Sequence, residues 1–252
     1  MTPSLPFFTL ARIAWRSLFI QAGFSPDAMQ TLGLLYALQP AWPHLYAEPE
    51  AQAAASKRHL TPFNTHPYAA AAMVGGILHY ELLLARGEGN AEEIAHFKTT
   101  LMGPLAALGD GFFWLSLRPA TGAVGVALVP LLGEWAPVAF LVAYNFVHLV
   151  ARTWLFVEGY ELGARVVPRL KELKVPTWSN RLRTVTAAAS AGVGAWLTQR
   201  FGALTGGESA LLAALVCFGL GAVGVWMVEK KVPPLALLYG AAGLAGTASV
   251  LW

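Results

Sequence analysis

The sequence predicts an all-α integral membrane protein, in which N-terminal interfacial and re-entrant helices are followed by a transmembrane helical bundle. Three observations carry that prediction. First, 56% of the 252 residues are hydrophobic and 12% charged, with a mean hydropathy of +0.53; soluble domains run near a quarter charged. Second, several late segments reach the roughly 20 apolar residues that cross a hydrocarbon core about 30 Å thick. Third, Thr100–Pro119, TLMGPLAALGDGFFWLSLRP, is apolar enough for a bilayer yet holds Asp110 and Arg118 among Gly103, Pro104, Gly109 and Gly111. Charge and irregular backbone persist at membrane depth only against protein or a water-filled cavity. A carboxylate beside glycine and proline, followed by Phe112-Phe113-Trp114, therefore predicts a broken membrane segment lining a polar site, as transporters are often built.

Taken in order, the chain starts without a signal-peptide pattern: no basic stretch precedes the apolar part, and Arg12 and Arg16 interrupt it. Those arginines are four apart and share a helical face, with Phe7, Leu10, Ala14 and Leu18 turned elsewhere. The pattern is that of an amphipathic helix lying in the interface or packing on another subunit. Ser17–Leu38 and Ala51–Leu60 read as helices too polar to cross unaided. Pro40, Pro43 and Pro49 mark a turn region around Leu45-Tyr46. Lys57, Arg58 and His59 predict a cytoplasmic or interfacial position. Ala69–Ala85 is apolar and suited to entering the membrane partway, and Arg86–Lys98 is a charged connector.

A broken apolar segment, Phe112–Leu132, and a cleaner one, Trp135–Val157, come next. Thr184–Phe201, Ser209–Val228 and Pro233–Trp252 then meet the length of a span, with Gly192, Gly194, Gly219, Gly221 and Gly224 placed to let helices pack closely. The connector Arg165–Arg183 carries a net charge of +5, which places residues 165–183 on the cytoplasmic side. Glu229-Lys230-Lys231 returns to that side, so the C-terminal Trp252 is expected outside. The division expected is residues 1–133, holding the amphipathic and re-entrant segments with the candidate substrate loops, and 134–252, the transmembrane bundle.

Enzymatic classes find little support. There is no nucleotide-binding glycine loop, no nucleophile elbow and no metal-ligand spacing. The single cysteine, Cys217, lies in an apolar run and suits a small buried hydrophobe. No cofactor, metal or nucleic-acid partner is expected.

Four blocks, read together, resemble one family. They are SLFIQAGFSPDAMQTLGLLYALQP over Ser17–Pro40, FNTHPY over Phe63–Tyr68, LMGPLAALGDGFFW over Leu101–Trp114 with Leu117-Arg118-Pro119 after it, and Arg152–Gly163 ending in EGYELG. The chain is similar, in this order and over most of its length, to the IID membrane component of the mannose/fructose/sorbose family of the sugar phosphotransferase system. It departs in having Gly111 where the family commonly shows serine, in reading Ser25-Pro26-Asp27-Ala28 in the early block, and in its compressed loops. The resemblance implies an obligate IIC membrane partner that shares the path of a hexose, cytoplasmic IIA and IIB components that carry the phosphoryl group, and an oligomer of IIC–IID pairs in a bacterial inner membrane. It also implies that no histidine here accepts phosphoryl, so the chain is a transporter subunit without a catalytic residue of its own. A docking or regulatory membrane subunit descended from such a carrier is the alternative.

Five residues are candidates for contact with substrate. The Asp110 carboxylate can accept hydrogen bonds from sugar hydroxyls, or else cap backbone N–H groups freed by a break. Trp114, four residues on, can stack on a pyranose face and donate through its indole, or anchor the interface. Asn64, Thr65 and His66 precede Pro67, which favours an extended backbone at His66. Their amide, hydroxyl and imidazole suit a polyol if they point one way, and an Asx-type turn if they do not. Arg118 lies about 12 Å beyond Asp110 along a helix, too far for a direct ion pair. Glu81, Asn145, His148 and Glu158 are further polar groups in or beside apolar segments, and His79 and His148 read as hydrogen-bonded packing residues.

Overall fold

The computed structural model describes residues 4–204 together with Met227 and Lys230. The expected spans Ser209–Val228 and Pro233–Trp252, their glycines, Cys217 and most of the basic turn at 229–231 lie outside the described residues. The chain divides into two units, Met1–Ser190 and Ala191–Trp252. In the second, residues 191–204 are helical and the Arg200 guanidinium lies over the Trp196 ring.

The first unit is built from helices, and among the described residues the only β pairing is two isolated bridges. α1 (Phe7–Ser17) buries Ile13 and Ser17. The predicted long helix over 17–38 is shorter in fact: residues 18–30 form turns, and only α2 (Thr31–Leu38) is helical. Gly23 and Ser25-Pro26-Asp27 favour turns over helix, and Met29 at φ 55° completes the bend. After a 3₁₀ turn and α3 (Trp42–Leu45) comes α4 (Pro49–Arg58), with proline at its first turn and Lys57 and Arg58 at its last. An extended loop then runs to α5 (Ala70–Ala85).

α5 is the core of this unit. Every residue from Ala70 to Leu78 is buried, as is Glu81. Its most extensive contact is with α9 (Ala136–Leu162), and it also packs on α6 (Ala91–Gly109). The apolar character that suited α5 to lipid is thus turned towards protein. Gly75 and Gly159 set the α5–α9 crossing: a methyl at Gly75 would overlap the Phe156 carbonyl, and one at Gly159 the Ala72 carbonyl. Backbones this close need small residues on both helices.

α6 starts on Asn90, whose side-chain oxygen accepts from the Glu93 N–H at 2.9 Å, and Glu92 and Glu93 follow in its first turn. The predicted break after Gly109 is a widening instead. Asp110–Leu117 continues α6 as a π-helix and passes without interruption into α7 (Arg118–Ala127). The Ser116 hydroxyl donates to the Gly111 carbonyl at 2.7 Å, spanning the five-residue π interval. Pro119 lacks an N–H for the preceding turn, and glycines at 109 and 111 offer no side chain to resist the wider winding.

After α8 (Val129–Leu132), α9 reaches about 40 Å at 1.5 Å per residue. Among the described residues, Val129–Glu172 is the one stretch long and apolar enough to cross a membrane, with 22% of its most apolar window buried. Leu141, Val142, Phe146, Leu149 and Val150 face outward, whereas His148 and Arg152 are buried. Apolar side chains outside and charge within is the arrangement a bilayer solvent demands. α10 (Val166–Glu172) and α11 (Val175–Leu204) take up the basic stretch, where Arg169 pairs with Glu172 at 2.9 Å and Glu158 at 3.7 Å.

Candidate functional site

The loop between Phe63 and Tyr68 is pinned at its base. The Gln30 carboxamide donates to the Thr65 carbonyl (2.7 Å) and accepts from its N–H (3.1 Å), as a neighbouring strand would. Pinned this way, the tripeptide does not point one way. Asn64 faces out and makes no hydrogen bond within the described residues, while Thr65 and His66 are buried, with Thr65 Oγ1 and His66 Nε2 left unpartnered. The expectation of three side chains pointing one way is thus corrected: Thr65 and His66 turn into the protein and Asn64 turns out of it.

His66 is the member that meets the second block. Its ring stacks on Phe113 (centroids 5.3 Å, 13° between planes) and meets the Trp114 edge at 4.7 Å. Gly109 lies directly against it, and a side chain there would collide with the imidazole. His66 Nδ1 accepts from the Tyr68 N–H at 3.2 Å, so in the neutral ring Nε2 carries the proton. The unpartnered group is therefore a donor.

Asp110 stands at the start of the π-helix, partly exposed. Its backbone is helical and its carboxylate accepts no hydrogen bond within the described residues, so the capping alternative does not hold. Trp114 is 43% exposed and lies about one π turn further on, on the same side. Arg118 makes no ion pair with Asp110, as the spacing predicts. An open carboxylate, a half-exposed indole and a buried imidazole donor thus meet at one helix–loop contact.

Behind it lies a cluster that the sequence did not announce. Tyr68 stacks on His148 (4.4 Å, 15°), hydrogen-bonds Tyr144 at 3.3 Å through their hydroxyls, and lies under Arg152. Arg152 is 5% exposed, donates to the Ser17 carbonyl, and has no acidic partner among the described residues. His79 is hydrogen-bonded to the Tyr160 carbonyl at 2.8 Å, as expected, whereas His148 packs on Tyr68 with its buried Nδ1 unpartnered among the described residues. On the far side of Phe113 is a cavity of about 410 Å³ bounded by Leu108, Phe112, Trp154, Leu170 and Trp178. Its apolar walls do not suit a polyol.

A second polar centre was also missed. Glu81, fully buried, accepts from Arg58 Nε (2.7 Å) and Nη2 (3.0 Å), from the Tyr46 hydroxyl (2.6 Å), and pairs with His59 Nε2 (2.9 Å). Trp42 stacks on His59 at 5.8 Å. Burial holds the His59 imidazole below its usual range, so the neutral ring donates from Nε2 while Arg58 supplies the positive charge. Near it, Lys98 is buried with a hydrogen bond to Thr61 Oγ1 (2.8 Å), and desolvation lowers its ammonium to about 8.

These groups set a pH response. Below about 6.5 the unfolded chain protonates His59 and the native chain resists, so stability falls with acid. Between about 8 and 9.5 the unfolded chain still holds the Lys98 proton that the native chain has released, so stability rises with pH; nearer pH 10 the Tyr46 phenol, held up by burial, opposes the rise. Thermal unfolding from pH 5 to about 9.5 should show both slopes, and Lys98→Met should abolish the alkaline one.

Helices with apolar exteriors, and an arginine buried without an acidic partner among the described residues, suit a membrane protein. The sequence profile described as PTS system mannose/fructose/sorbose family IID component matches residues 7–195. The chain belongs to that family: it is an EIID component of a mannose/fructose/sorbose PTS permease. It is 31% identical to the mannose-specific EIID component of Escherichia coli (strain K12), over 92% of this chain and 90% of that one. It is 29% identical to the fructose permease IID component of Bacillus subtilis (strain 168), over 89% and 88%. In structure it is similar to a chain of the mannose transporter ManYZ in complex with microcin E492 (TM-score 0.61, 28% identity, 98% of both chains). A second solved chain, described as a membrane protein, gives a TM-score of 0.75 at 27% identity, again over 98% of both.

Proposed function

We propose that this chain, with a IIC membrane subunit, carries a hexose across a bacterial inner membrane, and that cytoplasmic IIA and IIB components phosphorylate the sugar as it arrives. Asp110, Trp114 and the 64–66 loop are its contribution to the sugar contact. The observation that carries this reading is the π-helix over 110–117, which holds a carboxylate without a hydrogen bond among the described residues and, one turn on, a half-exposed indole against His66. Sugar hydroxyls need directional acceptors and donors once water is removed, and a pyranose face suits an aromatic ring. Asn64, exposed at the same loop, is the adaptable member. The basic stretch 165–183 faces the cytoplasm in this reading, and IIC–IID pairs assemble into an oligomer. Only a different affinity of the sugar for outward and inward states can drive the movement.

The test is uptake of a panel of labelled hexoses by cells that express this chain with its IIC, IIA and IIB partners. Phosphorylated sugar should accumulate for at least one hexose. An assembled complex that phosphorylates none would favour a docking or regulatory subunit.

A further inference from the structure

The cleft between α1, the α2–α3 junction and α4 has no part in the proposed sugar contact. It measures about 380 Å³ and is bounded by Arg12, Arg16, Gln39, Gln52 and Ser56, with no acidic residue on its walls. Two neighbouring groups hold Arg16 in place through one nitrogen: Nη1 donates to the Tyr36 carbonyl at 3.0 Å and to Gln39 Oε1 at 3.2 Å, and the guanidinium lies over the Tyr36 ring. The Nε–Nη2 edge has no partner within the described residues. That edge presents the parallel pair of donors which binds a phosphate or carboxylate side-on. Arg12, one turn earlier, has no partner at all among the described residues.

The outward face of α1 says what kind of anion is at hand. Phe7, Phe8 and Trp15 are 76%, 83% and 64% exposed, and Phe19 follows on the same side. With Ile13 and Ser17 buried on the opposite side, the two arginines fall along the border between aromatic face and protein. Aromatic rings in the acyl region and guanidinium groups at the depth of the phosphates is the arrangement of a helix lying in a membrane surface.

We propose that this cleft is a binding site for the headgroup phosphate of an anionic glycerophospholipid, held by the free edge of Arg16 and by Arg12, with the Gln39 amide nitrogen, the Gln52 side-chain oxygen and the Ser56 oxygen, the atoms their own hydrogen bonds leave over, available to the glycerol hydroxyls. Two cations and no acid select a lipid of net negative charge over a zwitterionic one. The site does not depend on the sugar reading.

Native mass spectrometry of the purified full chain tests it, with phosphatidylglycerol and phosphatidylcholine as probes and inorganic phosphate as competitor. Phosphatidylglycerol should be retained at least about tenfold better than phosphatidylcholine. Arg12→Gln should weaken that retention about fivefold, the effect of one cation at an anionic surface. Arg12 makes no hydrogen bond or ion pair among the described residues, so thermal unfolding of that variant without lipid should be unchanged. Arg16→Lys keeps the charge but loses the planar fork, and should also weaken phosphatidylglycerol. Equal retention of the two lipids, or wild-type retention in both variants, overturns the site. Displacement by inorganic phosphate would reassign it to a soluble anion, and loss of lipid when the partner membrane subunit binds would reassign it to a subunit contact; either overturns the proposal.

Discussion

Glu81→Ala is expected to lower stability by about 3–5 kcal/mol, the cost of removing one partner from a buried charge pair. Four donor groups converge on that carboxylate: Arg58 by two nitrogens, Tyr46, and His59. Arg58 Nη2 also donates to the Tyr46 hydroxyl, at the longer distance of 3.2 Å. Alanine would leave a guanidinium only 22% exposed without a counter-charge, a histidine enclosed against Trp42, and a hydroxyl with no acceptor. For a chain of this size the midpoint of thermal unfolding in detergent should drop by about 10 °C. Glu81→Gln should recover part of that, because it keeps one acceptor oxygen but turns an amide donor towards other donors. A shift in the alanine variant below about 2 °C would mean that the network is solvated and contributes little.

The second large effect is expected at the α5–α9 crossing. A side chain at Gly159 would be driven into the Ala72 carbonyl, and one at Gly75 into the Phe156 carbonyl. The atoms in the way are backbone, so no rotamer change relieves them. Separating the helices would also open the contact that buries Ala70 to Leu78. Gly159→Ala should cost about 1–3 kcal/mol, and Gly159→Leu should prevent accumulation of folded protein. Phe97, which packs on Gly76, gives the contrast: Gly76→Ala meets a ring that can tilt, and should be milder. Fluorescence-detected size exclusion of the three variants ranks them.

Local pattern made much of this fold legible, and non-local contact accounts for the rest. Trp135–Val157 was readable as a span because length and apolarity suffice for α9, which runs from Ala136 to Leu162, where Gly163 ends it. The protein neighbours of α5 were not readable, because hydropathy reports aversion to water and is silent on whether lipid or protein replaces it. Glu81 stood out as a polar group in an apolar segment, but its partners left no mark: they are 22, 23 and 35 residues away, and Arg58 and His59 alone suggest only an exposed basic patch. In the candidate site, Asp110, Trp114 and His66 were named from residue chemistry. Their meeting depends on π winding, which glycine and proline signal only as irregularity. Gln30 was overlooked, since a polar residue at a turn gives no hint that its amide will hold a loop 35 residues on. The turn at 18–30 could have been found: Gly23 and Pro26 are ordinary breakers.

The most direct measurement is hexose affinity and uptake by the reconstituted IIC–IID pair carrying Asp110→Asn or Trp114→Ala, each checked for assembly. Asn keeps the shape of the side chain but loses the charge that strengthens hydrogen bonds from sugar hydroxyls, each worth about 1.5–3 kcal/mol. Affinity should therefore fall at least about tenfold in both variants while the complex still forms. Unchanged affinity and uptake in the two variants would contradict a sugar contact at the 110–114 helix.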